Sequence, residues 1–240
     1  MDFAAELTEQ NRLLAELARA ADPATEVPTC PGWTLRNLVT HVGRGTRWAA
    51  QISRERHQTV LDPKTVTNGK APEDWAEAVD WLVESVEVLI DGVKATGEDA
   101  VWTFTGPQPG TWWLRRRLHE LVVHRADAVL ALGGKFEVDP AVAADSITEW
   151  LELVALRGTG VLPEGASLHL HTTDGDGEWL ITAVGDKITW ERAHGKATAA
   201  LRGSTADVLL TLLRRVPLDD RVEVHGDATV VKHWLENTPF

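Results

Sequence analysis

The chain predicts an α+β fold: an antiparallel four-helix bundle followed by a smaller α+β domain with an antiparallel sheet and two helices. Three observations predict it. Up to residue 156, apolar residues recur at helical spacing in five long segments. Beyond residue 165 the period shortens to two. The short alternating runs there are separated by Asp-Gly and Gly-Asp dipeptides, which suit hairpin turns. The change of period lies near 157–165 and divides the chain into a bundle over residues 1–160 and a C-terminal domain over residues 161–240.

Residues 2–21 carry Leu7, Leu13, Leu14, Leu17 and Ala21 at helical spacing, with acidic residues early. Val27 to Trp33 is a turn by its Pro and Gly content, and Thr34 stands where an N-cap opens a second helix to about Ser53 or Arg56. Residues 57–71 contain Asp62-Pro63 and Asn68-Gly69 and read as a loop. The third helix covers about 72–94. After a Gly/Pro-rich connection over 102–109, a fourth runs from about Thr111 to Leu132 and stops at Gly133-Gly134. Asp139-Pro140 opens a fifth, to about Leu156. Four of these are long enough for a bundle. Strands are expected over 167–172, 179–182, 187–191, 197–202 and 221–225, with helices over 205–214 and 228–234.

Composition narrows the function. A net charge of −12, from 36 acidic and 24 Lys or Arg residues, argues against a nucleic-acid backbone binder and favours small ligands. Arg115-Arg116-Arg117 is followed too closely by Glu120 and Asp127 to form a basic patch. The single cysteine, Cys30, excludes an intrachain disulfide framework, and with no base or lysine beside it in sequence it is expected to be inert. No apolar run is long enough to span a membrane. The acidic start lacks the features of a signal peptide, so a cytoplasmic protein is expected. Among the aromatics there are 11 Trp, 4 Phe and no Tyr; Trp33, Trp48, Trp112 and Trp113 flank the second and fourth helices and are expected to wall a pocket.

The chemistry concentrates on those two helices. On the fourth, Arg117, Glu120, His124 and Asp127 form one polar stripe about 80° wide, because residues advance by about 100°. A stripe of this kind describes a solvated face, but the apolar arc around it is wider than the ~100° of a surface helix, which suits one wall of an interior site. His119 falls off the stripe and is expected to face solvent. On the second helix His41 shares its face with Leu38, Gly45 and Trp48, as a core histidine would. Together His41, Glu120 and His124 make a His₂-carboxylate set that suits a divalent metal with an open fourth position, and Asp127 stands where it would orient a ligand from behind. The His119-Glu120-x-x-x-His124 spacing differs from the HExxH of zinc proteases. His169 and His171 share one strand face, a spacing that a metal could use, but they are expected to be surface or packing residues.

The segment Val27-Pro28-Thr29-Cys30-Pro31-Gly32-Trp33-Thr34, with Leu38-Val39-Thr40-His41-Val42-Gly43 after it, resembles the entry to the second helix in the mycothiol-dependent maleylpyruvate isomerase family. That family belongs to the DinB-like metal-binding four-helix bundles of actinobacteria. Arg117-x-x-Glu120-x-x-x-His124-x-x-Asp127 resembles it too, as does Gly203-Ser204-Thr205-Ala206-Asp207-Val208-Leu209-Leu210, which leads to Arg215. The resemblance implies Zn²⁺ or another divalent metal on His41, Glu120 and His124. It also implies a functionally required arginine at Arg215, where a slip of one residue would select Arg214. Arg117 is expected to contact the thiol cofactor. The structural alternative for Arg215 is a cation at the end of a helix.

The implied reaction is a mycothiol-assisted cis–trans isomerisation of an unsaturated diacid. Metal-bound thiol loses its proton near neutral pH, the thiolate adds to the activated C=C, the resulting single bond rotates, and elimination releases the trans product. An arginine such as Arg215 would grip a substrate carboxylate, with the C-terminal domain closing over the site. The partners implied are a small thiol and a small anionic or electrophilic substrate, with no nucleic acid and no membrane; the oligomeric state stays open, a monomer being compatible. Two alternatives stay open: a mycothiol S-transferase that conjugates an electrophile, and a metal-binding or regulatory module without turnover.

Overall fold

Eighteen apolar-striped residues make the first helix, and Asp2 starts it by accepting hydrogen bonds from the Ala4 and Ala5 amides. The computed structural model describes residues 1–238. Helices α1 (Phe3–Ala20), α2 (Leu35–Arg54), α3 (Trp75–Thr96) and α4 (Trp112–Ala131) form the first unit, residues 1–136. Each start follows from a capping side chain or a turn. Thr34 and Asn37 exchange hydrogen bonds in a capping box on α2. Asp74 caps α3 by accepting from the Glu77 amide, and so α3 begins at Trp75, not near Pro72. Gly133 at φ 70° ends α4, its amide bonding to the Leu130 carbonyl and that of Gly134 to the Val129 carbonyl.

Helices α2 and α3 pack closest because glycines remove side chains from their contact. A Cβ on Gly43 would stand 2.1 Å from the Trp81 ring, and one on Gly92 would stand 2.7 Å from the Ala50 carbonyl oxygen. α4 packs against α1, α2 and α3 and is buried around most of its circumference. The connection before it holds a two-residue antiparallel pair, β1 (Ala100–Val101) with β2 (Gln108–Pro109).

The second unit, from residue 137 to the end of the described residues, begins with α5 (Pro140–Arg157). This differs from the expected boundary at 160/161. α5 packs on α6 (Thr205–Leu212) and β5 (Lys187–Glu191), and Trp179 Nε1 donates to Thr148 Oγ1 at 3.1 Å, so the fifth helix belongs with the sheet. The apolar face of an amphipathic helix demands a partner without naming it.

The sheet is mixed, not wholly antiparallel as expected. Its order is β5-β4-β3-β6-β7, from β3 (Ser167–Thr172), β4 (Glu178–Val184), β5, β6 (Ala199–Gly203) and β7 (Val222–Gly226). β3, β4 and β5 form a meander, after which residues 192–198 cross back so that β6 pairs parallel to β3, with Leu170 opposite Leu201. Leu168, Leu170, Trp179 and Ile181 are fully buried on one face of the meander, and α6 and α7 (Ala228–Asn237) pack on this sheet. No helix among the described residues is long and apolar enough to cross a membrane.

Candidate metal centre

The polar stripe of α4 is interior. Arg117, His124 and Asp127 are buried, with His124 6% and Asp127 0% exposed. His119 is buried as well, which corrects its expected solvent-facing position: α4 is enclosed over a wider arc than a stripe argument allows.

Glu120 and His124 stand one turn apart on α4, and His41 reaches them from α2. His41 Nε2 lies 3.1 Å from Glu120 Oε1, and the His41 and His124 ring centres are 5.0 Å apart. One ligand atom from each of the three lies within 4.8 Å of the others. Four tetrahedral ligands at zinc distances of 2.0–2.1 Å stand about 3.3 Å from one another, close to the observed His41–Glu120 separation. The donor set fits a divalent ion.

Asp127 sets the tautomer of His124. Its Oδ2 accepts from His124 Nδ1 at 2.9 Å, which leaves Nε2 as the nitrogen with a free lone pair. Burial lowers the His124 pKa below its usual value, against the pull of the Asp127 hydrogen bond, and so favours the neutral imidazole. Burial also opposes ionisation of Glu120, yet Arg117, the His41 hydrogen bond and Arg116 hold its carboxyl well below the ordinary range. Both residues are thus held in the forms that bind a cation.

Two arginines brace Glu120. Arg116 Nη2 donates to Oε2 at 2.8 Å, and Arg117 Nη1 lies 3.1 Å from the same oxygen. Arg117 runs beside Gly45, where a Cβ would stand 2.7 Å from its Nη2. Arg116 lies outside the predicted stripe; its four-residue spacing to Glu120 is the signal that would have found it.

Cys30 also belongs here. The Cys30-Pro31-Gly32-Trp33 turn has Pro at its second position and Gly32 at φ 81°, closed by the Trp33 amide on the Cys30 carbonyl at 2.9 Å. This turn sets Cys30 Sγ 3.4 Å from Asp127 Oδ2, with the Trp33 ring 4.9 Å from His41 and 6.0 Å from His124. Cys30, His124 and Asp127 form an overlapping candidate ligand set, but an ion there would break the His124–Asp127 hydrogen bond, whereas one on His41, Glu120 and His124 keeps it. Ninety-seven residues separate Cys30 from Asp127, and no local pattern signals their contact.

A cavity of about 470 Å³ opens on His41 and Glu120, lined also by Trp33, Arg44, Trp48, Phe104 and Arg117. Arg44, one turn beyond His41, is shared with an adjoining pocket that also carries Lys64 and Lys70. These cations give the acidic protein a locally basic cavity. Trp33 and Trp48 wall it as expected, whereas Trp113 is fully buried in a ring cluster with Trp48 and Trp102. Arg215 lies in the second unit, just past α6, where its Nη1 donates to the Leu213 carbonyl at 3.0 Å.

The sequence matches the profile of the mycothiol maleylpyruvate isomerase N-terminal domain over residues 3–129 and that of the MDMPI C-terminal domain over residues 141–233. The chain belongs to the mycothiol maleylpyruvate isomerase family. Two solved structures share its fold: the mycothiol-dependent maleylpyruvate isomerase, 17% identical with a TM-score of 0.61, and a histidine-to-alanine mutant of it, 16% identical with a TM-score of 0.62. Each alignment covers 93% of this chain and 91% of the other. No curated protein sequence matches the chain. The helical bundle and mixed sheet found here are the fold of this isomerase family.

Proposed function

We propose that the chain is a metal- and mycothiol-dependent isomerase of the maleylpyruvate type, acting in the cytoplasm. The observation that carries this reading is the convergence of His41, Glu120 and His124 beside a cavity that His41 and Glu120 line together with Arg44 and Arg117.

His41, Glu120 and His124 would hold a divalent ion, with zinc suited to the nitrogen and carboxylate donors. Bound there, the ion would lower the pKa of a thiol and supply a thiolate near neutral pH. A thiolate at this site would add to the C=C of an unsaturated diacid, allow rotation about the resulting single bond and leave again, so that no thiol is consumed. Asp127 keeps the His124 proton on Nδ1 and its ring in place. Arg44 and Arg117 line the cavity, where Arg44 would match a carboxylate of substrate or cofactor and Arg117, already paired with Glu120, would add positive charge beside it. Trp33 and Phe104 supply apolar walls that limit water at the reacting carbons. Arg215 is assigned to a substrate carboxylate by resemblance to the family.

Metal content and turnover of maleylpyruvate, each with and without mycothiol, test the reading. Isomerisation should require both metal and thiol, with thiol concentration constant, and His124→Ala should lose the metal and the activity. Stoichiometric consumption of thiol would replace the isomerase with a transferase. Metal retention in His124→Ala would overturn the ligand assignment.

A further inference from the structure

The second unit carries a separate group of ligand-type side chains. His169 and His171 project from the same face of β3, and Glu178 on β4 is the register partner of His171. His194 lies on the crossover, residues 192–198, that carries the chain from β5 over β4 and β3 into β6. The crossover runs along the histidine face: a Cβ on Gly195 would stand 3.0 Å from Leu180, the register partner of His169.

The four groups converge. His171 Nδ1 lies 2.5 Å and His194 Nδ1 3.1 Å from Glu178 Oε1. The His169 ring centre is 5.3 Å from that of His194 and 5.9 Å from that of His171. One ligand atom from each of the four residues lies within 4.8 Å of all the others.

A hydrogen-bonded network around one carboxylate accounts for His171 and His194. It does not account for His169, which is only 6% exposed and whose buried Nε2 has no hydrogen-bond partner. Buried polar atoms are normally satisfied, and an unsatisfied one calls for a ligand or another role.

We propose that His169, His171, Glu178 and His194 form a second divalent-metal site that pins the β5–β6 crossover to the sheet. Three imidazoles and a carboxylate suit zinc-class ions over Mg²⁺ or Ca²⁺. Four protein donors close the coordination shell, so this site is structural, in contrast to the three-donor set of the bundle. By strand spacing alone, His169 and His171 read as surface or packing residues. Glu178 and His194, brought in by the hairpin and the crossover, complete the set.

The test is a count on the full-length chain, stripped with chelator, equilibrated with Zn²⁺ and freed of excess. Wild type should retain two equivalents, and His194→Ala and His124→Ala one each. His194 is exposed on a connection, so its truncation leaves no core cavity; Glu178→Gln should lose the same equivalent, and circular dichroism checks the fold of both variants. A wild type with one equivalent that His194→Ala removes would uphold this site and count against the bundle centre. Equal metal content in wild type, His194→Ala and Glu178→Gln would overturn the proposal.

Discussion

Asp127 is the residue on which the candidate metal centre of the bundle turns, although the proposed role needs no contact with an ion. Its carboxylate fixes the tautomer of His124 from behind and also accepts from Cys30. Asp127→Asn, which removes the charge at nearly constant volume, should weaken metal affinity roughly 10- to 100-fold, as found for partners of ligating histidines; competition against a chromophoric chelator would measure it. His124 itself makes the metal-free protein pH-sensitive. Its native pKa lies below the ordinary 6.5 because of burial. As pH falls through 6.5 the unfolded chain takes up a proton that the native imidazole refuses, so stability drops toward acid until the native pKa is reached. The contribution is at most about 1.4 kcal/mol per pH unit. Urea unfolding in chelator between pH 7 and 5.5 should show this decline in wild type and a shallower one in His124→Gln. That Glu120, His124 and Asp127 share one face was legible in the sequence because residues three and four apart on a helix stand together; His41, alone on its helix, was grouped with them by residue type and by the family resemblance. Cys30 and Arg44 were not. The contact of Cys30 depends on a turn meeting a distant helix, and nothing in its sequence neighbourhood sets Arg44 apart from a surface arginine.

Helix ends show how element-level chemistry places functional groups. α6 closes with a Schellman pattern: the Arg214 amide bonds to the Thr211 carbonyl at 3.0 Å and the Arg215 amide to the Leu210 carbonyl at 2.8 Å. Arg214 therefore occupies the left-handed position, φ 55°, that favours glycine. That conformation costs a residue with a Cβ about 1–2 kcal/mol, partly offset by the larger entropy glycine loses on folding. Arg214→Gly should accordingly stabilise the protein by roughly 0.5–1 kcal/mol, read as a higher urea midpoint at unchanged m-value. Helix spans and most caps were legible from apolar period and cap residues, and Asp74 alone moved a start. The parallel β3–β6 pairing was not, because a period-two strand reads the same in either direction. It follows from the route of residues 192–198, which no local pattern encodes.

At the scale of the molecule, the candidate donors of the bundle centre and the cavity arginines come from the first unit, whereas the arginine assigned by resemblance belongs to the second. This division lets the part played by Arg215 be tested apart from metal binding. If Arg215 grips a substrate carboxylate, Arg215→Ala should leave the bundle metal in place and lower kcat/KM about 10- to 100-fold, the worth of one charge-assisted contact of about 1.5–3 kcal/mol. Its observed bond to the Leu213 carbonyl offers a purely structural role, in which the same substitution would lower the unfolding midpoint and leave turnover unchanged. Arg214→Ala is the control for register. Arg214 occupies the left-handed position, where alanine is as strained as arginine, so stability should hardly move and only a catalytic role would show in turnover. Loss of activity in Arg214→Ala with normal turnover in Arg215→Ala would therefore move the assignment by one residue. Normal turnover in both would leave carboxylate binding to Arg44 and Arg117 in the bundle.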